Sequence, residues 1–260
     1  IVNALHKFLQ AKGHWMVKFA ALKSLQKMRP IPPEILPTLI KLLEGKSPDV
    51  LCQTAKVIAL FGDKGAKAIP ALKKMFQYPL GHIVLCIADA TRYLGTHAQA
   101  VIPEYAVLLT NQDIGLRKSA LRGLAALGSL AHTKAEAMAS LLKDSDILVR
   151  VVAAKALGVL KSPNPKVLHA LRQALRQQDH QVRTQSAKTL GLIGVHTKVI
   201  KEALVPLLQA REASVRKATA WTLATKAFRL PPRTQRKESP TSRPTSRPTS
   251  QPLKSTTRRE

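Results

Sequence analysis

Four pairs of an acidic residue and an arginine recur with a spacing that suits ion pairing on a helix. In each pair the arginine follows the acid by four positions, and residues four apart are neighbours on one helical face. The pairs are Asp113 and Arg117, Asp146 and Arg150, Asp179 and Arg183, and Glu212 and Arg216. The acids also precede apolar stretches, and negative charge is favoured near a helix N-terminus. We predict a structural use for these eight residues.

A row of basic residues runs through the chain at the same period of 33 residues. It contains Lys23, Lys56, Arg122, Lys155 and Lys188, with Asp89 in the third place and Trp221 in the seventh. Helices that pack 8–10 Å apart would set these cations about 10 Å apart, a spacing that suits carboxylates or phosphates. A plain solvated face is the alternative, because Lys is a good helix former. Arg92, one turn after Asp89, is expected to pair with it.

Sequence patterns typical of catalysis or metal binding are missing. None of the eight histidines is followed by Glu, and no phosphate-binding loop or Gly-x-Ser-x-Gly motif occurs. We therefore expect neither an enzyme nor a cofactor or metal site.

The elements that position these residues repeat every 33 residues. An apolar residue, here called the anchor, marks each unit: Val17, Val50, Ile83, Leu116, Val149, Val182 and Val215. Apolar residues eight and eleven positions after most anchors share its helical face. A second apolar series precedes each anchor, as at Leu39 and Leu72. Each unit should thus hold a first helix, a turn and a second helix.

Prolines and glycines also recur at this period. Pro37, Pro70 and Pro103 are expected in the first turn of first helices, where the missing N–H costs nothing. Gly62, Gly95, Gly128 and Gly194 are expected to end second helices as C-terminal caps.

The recurring pattern acidic-x-x-apolar-Arg resembles that of short HEAT-like repeats of the phycobilin-lyase type. The resemblance spans roughly residues 1–228 and is strongest in the four C-terminal units, since Lys18, Leu51 and Val84 replace the arginine in the first three. It implies an all-α fold, an α-solenoid or superhelix of about seven two-helix repeats, with second helices on the concave face. It also implies that the acid–arginine pairs tie adjacent units together.

Residues 229–260 are rich in Pro, Ser, Thr and Arg, and we predict a disordered basic tail there, because so few large apolar residues cannot form a core. Ser239, Ser246 and Ser250 each follow an arginine by three positions and are candidate phosphorylation sites. An unmodified spacer is the alternative. The chain lacks an initiator Met, and position 1 is expected to be a cut through a longer protein.

The composition favours acidic partners and a location inside the cell. Forty-two Lys and Arg face fifteen Asp and Glu, an excess that suits nucleic acid, an anionic membrane or an acidic protein. No apolar run reaches the length of about 18 residues that a membrane span needs. Cys52 and Cys86 are expected to be two buried thiols in a reducing compartment, which favours a cytoplasmic or nuclear location.

These observations predict a non-enzymatic scaffold that binds an acidic protein or peptide along the cation row. The alternative is nucleic-acid binding through the same row and the tail, and a HEAT-like lyase or hydroxylase is a third. Trp15 and Trp221 would stack on bases in the second case, although packing at the ends of the array is the simpler use of both.

Overall fold

A computed structural model describes residues 2–11, 13–28, 30–78, 80–194 and 197–225, and within these residues the chain forms seven consecutive pairs of α-helices. The first helices are α1 (Val2–Gln10), α3 (Leu36–Leu42), α5 (Ile69–Lys74), α7 (Ile102–Leu108), α9 (Ala135–Ser140), α11 (Pro165–Ala174) and α13 (Lys198–Leu204). The second helices are α2 (Trp15–Lys27), α4 (Pro48–Ile58), α6 (Gly81–Thr91), α8 (Ile114–Ala126), α10 (Ile147–Leu160), α12 (His180–Ile193) and α14 (Ala213–Ala224). The described residues contain no strand, and the predicted all-α solenoid of seven two-helix units is confirmed.

Short 3₁₀ segments connect or extend several of these helices. They are Pro33–Ile35, Ala59–Ala68, Met75–Gln77, Gly95–Val101, Gly128–Lys134, Leu141–Lys143 and Val205–Gln209. Pro37, Pro70 and Pro103 lie in the first turns of α3, α5 and α7, as predicted. The four glycines predicted after second helices all have positive φ, which any side chain would make costly. Gly194 is the C-cap of α12 and Gly128 directly follows that of α8, whereas Gly62 and Gly95 lie three residues beyond the C-caps of α4 and α6.

The second helices stack in chain order, each against the next. Their anchors are buried from Val50 to Val215, but Val17 is 46% exposed. The prediction was thus wrong for the anchor of the first unit.

Small residues and two repeated hydrogen bonds hold the last three second helices close together. The Thr189 hydroxyl donates to the carbonyl of Ala154 at 2.7 Å. One period later Thr222 donates in the same way to Ala187 at 2.8 Å. Both threonines are fully buried, and a Cβ on Gly158 or Gly191 would come within about 3 Å of the threonine hydroxyl opposite. These bonds need close backbone approach, which glycine permits.

The two cysteines form a disulfide, which corrects the expectation of two separate thiols. Cys52 on α4 and Cys86 on α6 are joined, with their Cα atoms 5.3 Å apart. They are 34 residues apart in the chain, one more than the repeat period, so stacking brings them side by side. The pair was not predicted, because two cysteines cannot make a framework of several bridges and their proximity depends on how α4 stacks against α6.

No α-helix among the described residues is long and apolar enough to cross a membrane. The predicted tail, with Ser239, Ser246 and Ser250, lies outside the described residues, as does the predicted boundary at residue 228.

Candidate partner-binding surface

The acids of the repeated motif cap their own helices. The carboxylates of Asp113, Asp146 and Asp179 accept hydrogen bonds from the N–H groups three positions on, at Leu116, Val149 and Val182. Such caps satisfy N–H groups that have no partner within the helix. The acids therefore do not pair with the arginine four residues later in the same unit. Glu212 precedes α14 without a side-chain cap bond.

Each motif arginine donates from Nη1 to two consecutive backbone carbonyls in the turn before its helix. The acceptors are Asn111 and Gln112 for Arg117, Asp144 and Ser145 for Arg150, Gln177 and Gln178 for Arg183, and Ala210 and Arg211 for Arg216. Carbonyls that follow a first helix carry partial negative charge, which a guanidinium stabilises. The four arginines thus fasten first helix to second helix in the same manner.

Two of these arginines also bind an acid of the following unit. The Arg117 guanidinium grips Asp144 with two parallel bonds, Nε to Oδ2 at 2.8 Å and Nη2 to Oδ1 at 2.9 Å. Arg183 donates from Nη2 to Glu212 at 2.6 Å. Units four and five, and units six and seven, are tied in this way. Of the motif acids that were expected to tie units together, only Glu212 takes part in such a pair among the described residues. Leu51 and Val84, which replace the arginine in units two and three, are buried core residues.

Asp144 is a structural acid that the sequence did not reveal. It lies two positions before the motif acid Asp146 and has no counterpart in the recurring pattern. Burial alone would raise the pKa of its carboxyl group. The hydrogen bonds from Arg117 and from the Asp146 N–H outweigh burial and hold that pKa below its usual range. Asp144 is therefore ionised at neutral pH.

The predicted cation row lies on the exposed side of the second helices. Lys23, Lys56, Arg122, Lys155 and Lys188 are all exposed, and none forms an ion pair with a described residue. In α4, Lys56 is the one exposed side chain between Val50 and Ile58. The Lys23 ammonium lies 5.0 Å from the centre of the Phe19 ring. Elsewhere the row faces solvent.

Asp89 interrupts the row without the predicted partner. No ion pair joins Asp89 to Arg92, although the structure describes both side chains, and the Arg92 guanidinium instead lies 4.8 Å from the centre of the Tyr93 ring. The expectation of an Asp89–Arg92 pair was wrong because the adjacent aromatic face competes for the guanidinium.

An apolar row accompanies the cation row and was missed in the sequence. Leu60, Tyr93, Val159 and Leu192 each follow a member of the charged series by four positions and are between 37% and 57% exposed. They were overlooked because each directly precedes a position of the apolar core pattern. Val159 and Leu192 lie on α10 and α12, whereas Leu60 and Tyr93 lie just after the ends of α4 and α6. Charge and exposed apolar surface therefore lie side by side on the second helices and the turns that follow them.

The two tryptophans are both partly exposed. Trp15 is 41% exposed and makes an edge contact with Phe19. Trp221 is 48% exposed and lies near Gly191, where an added Cβ would meet its ring at 2.9 Å. Within the described residues, no group of three or more His, Cys, Asp or Glu side chains is placed to hold a metal ion.

Comparison with known proteins relates the chain to repeat proteins. The sequence model of the family described as HEAT repeats matches residues 2–85 and 135–224. No curated protein sequence matches significantly.

Several solved structures have a similar fold. An engineered protein shares 22% identity and a TM-score of 0.53, over 85% of this chain and 67% of that chain. A chain of the complex of Kap95p with RanGDP shares 14% identity and a TM-score of 0.59, over 85% of this chain and 35% of that chain. The complex of CpcE and CpcF of phycocyanin lyase from Nostoc sp. PCC7120 shares 19% identity and a TM-score of 0.48, over 85% and 93% of the two chains. At such low identity the engineered protein and the Kap95p complex support the fold alone.

Proposed function

The chain belongs to the HEAT repeat family, and from this premise we propose that it is a non-enzymatic scaffold that binds an acidic protein or peptide along its second helices. One observation carries the proposal. The cation row stays exposed and has no acidic partner within the described residues, whereas the nearby Arg117 and Arg183 each bind an acid of the following unit.

The apolar row adds to this argument. Leu60, Tyr93, Val159 and Leu192 expose apolar surface beside the cations, and aligned apolar side chains at an interface contribute about 25 cal/mol per Å² buried. An acidic segment with apolar side chains on one face would satisfy both rows. If the cation row were only a solvated helix face, no row of exposed apolar side chains beside it would be expected.

Charge reversal tests the proposal. Replacing Lys56, Arg122, Lys155 and Lys188 by Glu should weaken binding of a poly-glutamate probe at least tenfold, since four exposed ion pairs of about 0.2–1 kcal/mol each are lost and repulsion replaces them. The matched control replaces Lys41, Lys67, Arg176 and Lys201, which are exposed on first helices and turns. Both variants change the net charge equally. Equal loss of binding in the two variants would contradict the proposal, since it would reflect net charge and not a surface.

Nucleic-acid binding is the second candidate, supported by Trp221 at the end of the row and by the net charge of +27. Affinity for a 20-base-pair duplex and for poly-glutamate should be measured at about 50 mM and about 200 mM salt, because affinity that rests on phosphate contacts falls steeply over this range. Tighter duplex binding than poly-glutamate binding at the higher salt, lost on charge reversal of the row, would favour this candidate over the acidic protein.

The cytoplasmic or nuclear location expected from the sequence rested on two free thiols. The Cys52–Cys86 bond argues against it, because structural disulfides are rare in reducing compartments.

A further inference from the structure

Arg150 differs from its equivalents in neighbouring units. It makes the same two Nη1 bonds to backbone carbonyls as Arg117, to Asp144 at 2.8 Å and to Ser145 at 3.1 Å. These bonds fix its guanidinium as those of Arg117 do. Its Nε atom is buried, yet it meets no acceptor among the described residues.

The reason lies one period further along the chain. Asp144 supplies the carboxylate that Arg117 grips, and the residue 33 positions after Asp144 is Gln177. The Gln177 amide is turned away and donates to the carbonyl of Leu142 at 2.7 Å. The glutamine therefore gives Arg150 no negative charge.

The Arg150 side chain is partly exposed, although its Nε is buried. An open depression of about 640 Å³ adjoins its side chain and is lined by Lys143, Asp144, Arg150, Gln177, Gln178 and Asp179. Asp144 is engaged by Arg117, and Asp179 caps α12 through the N–H groups of Gln181 and Val182. Both carboxylates already have partners, and neither one bonds the Nε of Arg150.

The geometry points to a carboxylate-binding site at Arg150, which we propose takes an aspartate or glutamate side chain from another protein. The template is this chain itself, since the equivalent arginines Arg117 and Arg183 bind the carboxylates of Asp144 and Glu212. A carboxylate suits the planar guanidinium edge with two parallel bonds. A doubly charged phosphate suits it less, because Asp144 and Asp179 lie in the same depression.

The site is separate from the cation row. Arg150 lies one position after its anchor, whereas Lys155 lies six positions after it, and at about 100° per residue the two side chains point to different sides of α10. The charge-reversal variant of the row keeps Arg150 and Gln177 unchanged, so each proposal can fail without the other.

The test follows the Nε–H resonance of Arg150 by NMR in the full chain while hexaglutamate is added. The resonance is assigned by its loss in Arg150→Lys. We expect a saturable shift that the Nε–H of Arg117, already bound to Asp144, does not show. The variant Gln177→Asp places an internal carboxylate at the position equivalent to Asp144, which binds the Arg117 of the preceding unit. It should weaken the apparent affinity for hexaglutamate about tenfold or more.

Gln178→Asp is the matched control. It adds the same charge to the same depression, one position away from the glutamine equivalent to Asp144, and should weaken the affinity much less. Three outcomes would overturn the proposal: no shift in the unmodified chain, equal weakening in both variants, or tighter binding of inorganic phosphate than of hexaglutamate. If Arg150→Lys does not fold, the resonance is assigned through its NMR connectivities to the Arg150 backbone, and the comparison of Gln177→Asp with Gln178→Asp, which both retain Arg150, still tests the proposal.

Discussion

At the level of single residues, the acid and the arginine of the repeated motif have separate tasks. Asp113 caps its helix, while Arg117 reaches carbonyls of its own unit and a carboxylate of the next. The spacing of four residues had suggested that the two pair with one another. The cap takes precedence because the N–H groups at a helix start have no other acceptor.

Asp144 should make stability depend on pH. Its folded pKa lies below the unfolded value, so its stabilising contribution is present above the ordinary carboxyl pKa and is lost as pH falls through the lowered one. Replacing Asp144 by Asn should cost about 3 kcal/mol at pH 7, because Arg117 loses a buried partner. The cost should shrink near pH 2. Urea unfolding at both pH values measures it.

Asp63→Asn serves as the control for that experiment. Asp63 is exposed and forms no ion pair with a described residue, so its replacement should change unfolding little at either pH. A loss at Asp144 that is the same at pH 7 and pH 2 would show that ionisation does not matter.

At the level of helices, the sequence predicted the two-helix repeat and missed several exposed faces. Pro70 and Gly194 were placed correctly because their backbone constraints are local. Gly62 lies three residues beyond the C-cap of α4, inside a 3₁₀ segment. The exposure of Val17 and Val159 was missed because it depends on which neighbouring helix covers each side chain. The Asp144 pair was missed for a similar reason, since its partner Arg117 is 27 residues away.

Gly123 on α8 should be intolerant of a larger residue. An added Cβ would lie about 2.7 Å from Cζ of Tyr105, which is fully buried and donates its hydroxyl to Val84 at 2.9 Å. Gly123→Ala should therefore cost about 1–3 kcal/mol through overpacking. Thermal unfolding measures the loss.

Gly13→Ala is the control, since a Cβ there meets no atom within 4 Å. The double variant Gly123→Ala, Tyr105→Leu should lose less than the sum of the two single variants, because the clash is shared. If the stability losses of the two single variants simply add in the double variant, the Tyr105 ring does not limit the size of the residue at position 123.

At the level of the whole molecule, a single covalent bond joins units two and three. The disulfide closes a loop with a sequence separation of 34, and cross-linking a loop of this size stabilises by about 3–4 kcal/mol, largely by restricting the unfolded chain. Adding a reductant should therefore lower the thermal midpoint.

The Cys52→Ser, Cys86→Ser variant provides the comparison. It should unfold at the lower temperature with or without reductant. Two results together would contradict the disulfide. The thermal midpoint of the unmodified chain would not change with reductant, and its two cysteines would react with a thiol reagent before reduction.

The exposed apolar row has a consequence for how copies of the chain behave together in solution. Exposed apolar surface at Leu60, Tyr93, Val159 and Leu192 favours association between copies of the chain. The net charge of +27 opposes it, because like-charged molecules repel one another. That colloidal repulsion extends over only about 10 Å at 0.1 M salt and about 3 Å at 1 M. The same cations that favour an acidic partner thus also protect the chain against self-association, and concentrated salt removes that protection.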